Sequence, residues 1–417
     1  MIDKLIVLFN NLYKNKGIQN LSMKALVKGS FFLFNLYIIN NLPIAEVARF
    51  ALFYTTARFF SFFGTDSMHI TRFAEIREIH LGLIEDSEII DNIKTHFFIS
   101  HALLFILSLL IFQETLTVIS VNLVAVALSA IRLLADYSKI NNKIWKSIII
   151  EDLIFTIGFI FLSVVFIQFF EDVIVSITLA ISICAVFSIT YALYYFKKKL
   201  YVDFLKFGKF NFDLKRFWFS NKFTLLKGVT VFVLYLSRQF GDFYYGEQMV
   251  AETHLMLIFI NVFMLISTSI VAGFQNEIVL KKDEAVTTKL FIKVYKKLTF
   301  PIIYFVLLIC GLLIVFAEEF LLIITPNFSY LKSQFIYTIL LVLLYFIVNP
   351  IFYFFYMNKR VSNFNSFIAL GYITLMAVVA SGYIIENYWI WFFSLISVLV
   401  LIPIQVAISG IINLKKP

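Results

Sequence analysis

Apolar runs near twenty residues long recur along the whole chain, separated by short polar links. A helix of about twenty apolar residues spans the hydrocarbon core of a bilayer. The pattern predicts about twelve spans, over 25–41, 45–64, 94–112, 116–135, 148–169, 174–196, 222–240, 252–275, 299–317, 332–356, 364–384 and 389–413. Some links are very short: Asn41-Leu42-Pro43-Ile44 joins the first pair, and Gln113-Glu114-Thr115 splits what would otherwise read as one long run. Ahead of the first span, Ile2, Leu5, Ile6, Phe9, Leu12 and Tyr13 fall at helical spacing among Lys4, Lys14 and Lys16. That suits a short helix in the headgroup layer.

Composition agrees. The chain is 61% hydrophobic and 15% charged, against about 25% charged for a soluble domain. The class is an all-α polytopic membrane protein, with no stretch left over for an ordinary soluble domain and no secretory signal peptide. Cys184 and Cys310 fall inside apolar runs and read as packing residues. The net charge of +9 would suit nucleic acid, but its placement argues otherwise. Of 35 Lys and Arg residues, 26 lie in the segments on one side of the predicted bundle. The opposite links carry Glu114, Glu171, Asp172, Asp242, Glu247, Glu318, Glu319 and Glu386 instead. This asymmetry puts both termini in the cytoplasm.

The basic stretch 197–221, beginning Lys197-Lys198-Lys199, halves the chain. Around it the expected organisation is an interfacial segment 1–24, a six-helix lobe 25–196, a cytoplasmic linker 197–221, a second six-helix lobe 222–413 and a tail 414–417. The halves echo one another. Leu26-Val27-Lys28-Gly29 opens span one, and Leu225-Leu226-Lys227-Gly228 opens span seven. Ala45-Glu46 with Phe53 opens span two, and Ala251-Glu252 with Phe259 opens span eight. Corresponding positions in two halves suggest a parallel repeat about an axis along the membrane normal, with two pseudo-symmetric lobes around a central cavity.

A charge at bilayer depth costs roughly 2.5–3.5 kcal/mol on insertion scales, so it faces a partner, an interface or a wet cavity. Residues seven apart share a helix face. His254, Asn261, Thr268 and Gln275 make such a stripe, read as cavity lining or as helix–helix hydrogen bonding. In span two, Tyr54, Thr55, Arg58, Ser61 and Thr65 fall on one side. Arg49 falls on the other, snorkelling or paired with Glu46. Arg58 either lines the cavity or snorkels. Lys28 shares a face with Asn35, and Lys227 with Arg238; both lysines could equally anchor the inner boundary, and Arg238 could pair with Asp242. Arg132 is expected to pair with Asp136. Glu151 and Asp152 suit capping of a helix entrance or ion coupling.

The deep fixed charge is thus positive, from Lys28, Arg58, Lys227 and Arg238, with no comparably deep carboxylate. Such a cavity suits a phosphate. No P-loop and no HExxH motif is present, and the five histidines form no metal pattern. No catalytic residue, metal or cofactor is therefore expected. Asn349-Pro350 predicts a kink in span ten.

Over roughly 22–413 the chain resembles the O-antigen and polysaccharide flippases of the multidrug/oligosaccharidyl-lipid/polysaccharide exporter superfamily. The resemblance is carried by Leu26-Val27-Lys28-Gly29-Ser30, by Gly64-Thr65-Asp66-Ser67 with Arg72, by Ile323-Ile324-Thr325-Pro326-Asn327-Phe328 and by Met357-Asn358-Lys359-Arg360. The first link, Leu42-Pro43-Ile44-Ala45-Glu46, departs from the family's usual one. The resemblance implies two rocking lobes and a bacterial inner-membrane location. It also implies a substrate in which an oligosaccharide repeat unit is carried on undecaprenyl pyrophosphate. Membrane lipids and other polysaccharide-assembly proteins are the implied partners. The membrane potential favours outward movement of an anion, by about 2.3 kcal/mol per charge per 100 mV; a proton or sodium gradient stays open as a further drive. A cation-coupled drug exporter of the same superfamily and a membrane polysaccharide polymerase or ligase are the alternatives.

Overall fold

A computed structural model describes residues 16–66, 86–112, 114–140, 144–200, 214–273, 288–357 and 364–414. All regular structure among them is helical. In chain order the helices are α1 (Lys16–Asn41), α2 (Ile44–Ser61), α3 (Asp86–Ile111), α4 (Thr115–Ile140), α5 (Ile144–Ile148), α6 (Gly158–Phe169), α7 (Val173–Leu200) and α8 (Leu214–Tyr245). There follow α9 (Glu247–Gly273), α10 (Thr288–Val315), α11 (Ala317–Ile324), α12 (Lys332–Met357), α13 (Phe364–Ala380) and α14 (Tyr388–Leu414). Helical segments over Thr115–Ala135, Lys146–Phe169, Val173–Phe196, Pro326–Phe352 and Tyr388–Ser409 are long and apolar enough to cross a membrane. The chain is a multi-pass membrane protein. Pro350 and Pro403 lie inside α12 and α14, both of which continue past them. The expected interfacial helix at 2–13 lies outside the described residues.

The chain forms two compact units. One comprises Met23–Phe34 and Arg49–Tyr235; the other comprises Met1–Ser22, Asn35–Ala48 and Leu236–Pro417. The helices α1, α2 and α8 each contribute to both.

In the first unit α4 and α6 pack on α7, and α3 packs on α4. Phe34, Phe50, Phe60, Phe159, Ile177 and Ile181 fill its core. Leu103, Ile106 and Leu110 form an exposed row along α3; an apolar row without cover belongs in lipid. Two stretches depart from α geometry. A π-helical turn, Phe62–Asp66, follows α2, and a nine-residue π segment, Ile149–Ile157, joins α5 to α6. The Thr156 hydroxyl donates to the Glu151 carbonyl five residues back (2.7 Å), and Ser188 of α7 donates to the Ile150 carbonyl (3.2 Å). The wider π turn is held by these side chains as well as by its own backbone. The α6–α7 link is short because Asp172 caps α7: its carboxylate accepts from the amides of Ile174 and Val175 at 2.7 and 3.1 Å.

In the second unit α12 is central, packing on α9, α10 and α14, while α13 packs on α14. Its core includes Phe335, Phe354, Trp391, Phe392, Leu255 and Met256. Gly246 is the whole link between α8 and α9, at φ +85°, a left-handed conformation that glycine adopts without steric cost. At Phe316 the chain bends by 84° between α10 and α11. The α1–α2 turn lies in this unit, where the Asn40 side chain donates to the carbonyl of Ile324, the last residue of α11, at 2.8 Å. Tyr244, Tyr245, Tyr383, Tyr388 and Trp391 cluster around the starts of α9 and α14. Three of their polar tips are satisfied by backbone: Tyr245 donates to Ile385, Tyr388 to Met249 and Trp391 to Val378. Amphipathic aromatics of this kind gather at membrane interfaces.

Candidate functional site

The polar residues singled out by helical spacing fall into two described groups, one in each unit. In the first unit α2 carries Tyr54 and Arg58 one turn apart, at the spacing that brings side chains together on one face. Tyr54 is buried among phenylalanines: its ring stacks on Phe50 and Phe159 (centroids 5.6 and 6.2 Å) and lies 5.6 Å from Phe31. Arg58 is exposed. Its guanidinium carbon stands 5.8 Å from the centre of the Tyr54 ring. Among the described residues no carboxylate pairs with Arg58. The arrangement leaves a positive charge facing open space on an aromatic support.

The neighbouring arginines are different. Arg49 donates to the Asp172 carboxylate at 3.2 Å. Arg132 pairs with Glu151, carried by the π segment. These pairs join residues 123 and 19 positions apart; the side chain of Asp136, the partner expected for Arg132, lies outside the described residues. The Asp172 carboxyl is pushed up by partial burial, but the amides of Val175 and Ile174 and the Arg49 guanidinium outweigh that. It is held below the usual aspartate value.

In the second unit Arg238 of α8 and His254 of α9 come together, both buried, with Arg238 Nη2 donating to His254 Nδ1 at 2.9 Å. Arg238 thus has a partner on the next helix, where spacing within α8 offers only Asp242. Asn35 is buried on α1, and Asn261 is half-buried on α9. Lys28, Lys227 and Thr268 lie on α1, α8 and α9, but their side chains are outside the described residues, as is all of Gln275.

One site residue escapes the sequence reading. Spacing makes Glu252 the opening of span eight and leaves no deep carboxylate. Here α9 begins at Glu247, so Glu252 lies more than a turn inside the helix, 2% exposed. Its Oε1 accepts from the Tyr330 hydroxyl at 2.5 Å and from Gln248 Nε2 at 3.0 Å. Asp152 on the π segment is also buried, at 8% exposure. The signal present in the sequence is the cluster of polar residues at 248, 252, 253 and 254, too dense for a helix facing only lipid.

Among the described residues no group of histidine, cysteine and carboxylate side chains could hold a metal. Cys184 and Cys310 are buried free thiols.

No protein-family model matches the chain, and no curated protein matches it. Among solved structures it is similar to one described as an inward-facing conformation of a multidrug resistance MATE family transporter of the MOP superfamily. The TM-score is 0.56 at 12% identity, over 93% of this chain and 94% of that one. At that identity the likeness is one of fold, and it extends over nearly the whole of both chains.

Proposed function

We propose that the chain is a flippase that moves undecaprenyl-pyrophosphate-linked oligosaccharide repeat units, of O-antigen or capsule type, from the cytoplasmic to the periplasmic leaflet by alternating access. The observation that carries the reading is Arg58: an exposed guanidinium on a helix read as membrane-spanning, with aromatic company and no acidic partner among the described residues. A guanidinium so placed suits phosphate oxygens, which it meets with paired N–H donors. The fold likeness to a transporter and the sequence resemblance to polysaccharide flippases support the same reading. On it, Arg58 holds the pyrophosphate, with Lys28 and Lys227 of the same unit as further candidates and Tyr54 beside it. Both termini are cytoplasmic, in a bacterial inner membrane.

Glu252 favours a second reading, a cation-coupled exporter of the same superfamily. A buried carboxylate is what a proton, a sodium ion or a cationic drug would engage.

The test is deletion of the gene and complementation. Loss of the chain should leave lipid-linked repeat units accessible only from the cytoplasmic leaflet, scored by lectin binding to inside-out and right-side-out vesicles. Arg58→Ala, inserted normally, should lower surface polysaccharide about tenfold or more, the loss expected for a charge-assisted contact. Full export by Arg58→Ala together with export abolished in Glu252→Gln would move the conclusion to the cation-coupled exporter.

A further inference from the structure

We propose that Tyr54 is a positioning residue, which holds the Arg58 guanidinium ready for an anionic ligand. The inference rests on the reading of Arg58 as the pyrophosphate anchor.

The Tyr54 ring is fixed by its surroundings. Phe50, one turn back on α2, stacks on it; Phe159 of α6 stacks on it as well, and Phe31 of α1 leans against it. Those rings also hold one another, with Phe34 set edge-on to both Phe50 and Phe159 (6.0 and 5.5 Å). A ring gripped on three sides cannot follow a mobile partner, so the partner must come to it. Arg58 does, with its guanidinium carbon resting 5.8 Å from the ring centre.

The residue type matters. Phenylalanine occupies the surrounding positions 31, 34, 50 and 159, and would fill position 54 equally well. Tyrosine stands at the place beside the guanidinium, and only its hydroxyl can accept from an arginine N–H. One N–H given to that oxygen leaves the remaining donors of the fork free for phosphate. An exposed arginine stem is otherwise flexible, and ordering it on binding weakens affinity; a fixed hydroxyl does that ordering beforehand. The ring's π face adds an attraction for the cation that a phenylalanine would keep, so Tyr54→Phe isolates the hydroxyl.

A double-mutant cycle tests this on the full chain in lipid nanodiscs, with farnesyl pyrophosphate as the probe, farnesol as the uncharged control and isothermal titration calorimetry as the readout. Tyr54→Phe should weaken farnesyl pyrophosphate binding about three- to tenfold, the loss of one hydrogen bond, with an unchanged melting temperature. In an Arg58→Ala background the same substitution should change nothing, because the two residues act as a unit. Equal weakening in both backgrounds would give Tyr54 a role of its own and overturn the inference. So would wild-type affinity of Tyr54→Phe beside a clear loss in Arg58→Ala, an outcome that leaves the flippase reading standing. If Arg58→Ala binds the probe as well as wild type, the anchor itself is wrong and both conclusions fall.

Discussion

At the residue scale, what distinguishes the arginines is their company. Arg49, Arg58 and Arg132 all lie on helices of the same unit, yet Arg49 and Arg132 each pair with a carboxylate outside their own helix. Spacing along one helix is enough to set Arg58 apart from Arg49. It could not reveal the contacts with Asp172 and Glu151, because a partner on another element leaves no periodic trace. Glu252 escapes for another reason. A carboxylate five residues from a helix start reads as an opening residue until the start itself is fixed. The Arg49–Asp172 pair makes a measurable prediction. The Asp172 carboxyl titrates below its ordinary value of 3.8 in the folded chain. Its stabilisation is therefore complete above the unfolded-state value and is lost as the pH falls through the lowered folded-state value. Asp172→Asn should lower stability at neutral pH, and the difference from wild type should vanish in the acid range below pH 3.8. With both side chains more than a third exposed, the effect should stay under about 1 kcal/mol. Thermal unfolding in detergent across pH measures it.

At the element scale, the surprises lie where helices change type or direction. The run 317–324 reads as part of a polar link because Glu318 and Glu319 stand at its head; it is a helix, set at 84° to α10. Its buried side is Ala317 and Leu321, four apart, while Leu322 and Ile323 are exposed, so the period is helical even where the charge suggests a loop. The π turn after α2 is equally hidden, since a single extra residue in a turn alters no hydropathy pattern. That turn lets α3 come close. His101 Nε2 meets the Ser129 hydroxyl at 3.0 Å and its Nδ1 meets the Phe97 carbonyl at 2.8 Å. Gly64 leaves room for them: a methyl group there would stand 2.9 Å from the Ser129 hydroxyl and against the His101 imidazole. Gly64→Ala should cost about 1–3 kcal/mol through overpacking, read as a lower melting temperature in detergent. A second change, His101→Ala, should recover part of the loss by clearing the space.

At the scale of the whole molecule, the membrane class is plain from composition and run length, and the fold likeness to a transporter covers almost the whole chain. Orientation rests on charge, with 26 of the 35 basic residues in the segments assigned to one side. A reporter fused after Lys199 should be active in the cytoplasm; periplasmic activity would invert the assignment. The division into units could not be read from the sequence, because α1, α2 and α8 each contribute to both units and no hydropathy or charge signal marks where that happens.

That division has a consequence for how the chain can be broken. Because α1, α2 and α8 each pass unbroken between units, a cut within 201–213 leaves neither piece with a complete set of its own helices. The first piece carries 35–48 without 236–417, most of the unit it groups with, and the second carries 214–235 without the rest of its own unit. Two co-expressed fragments should complement one another, while either alone should be degraded. Recombination at the midpoint would likewise exchange incomplete parts, so related chains are expected to inherit their halves together.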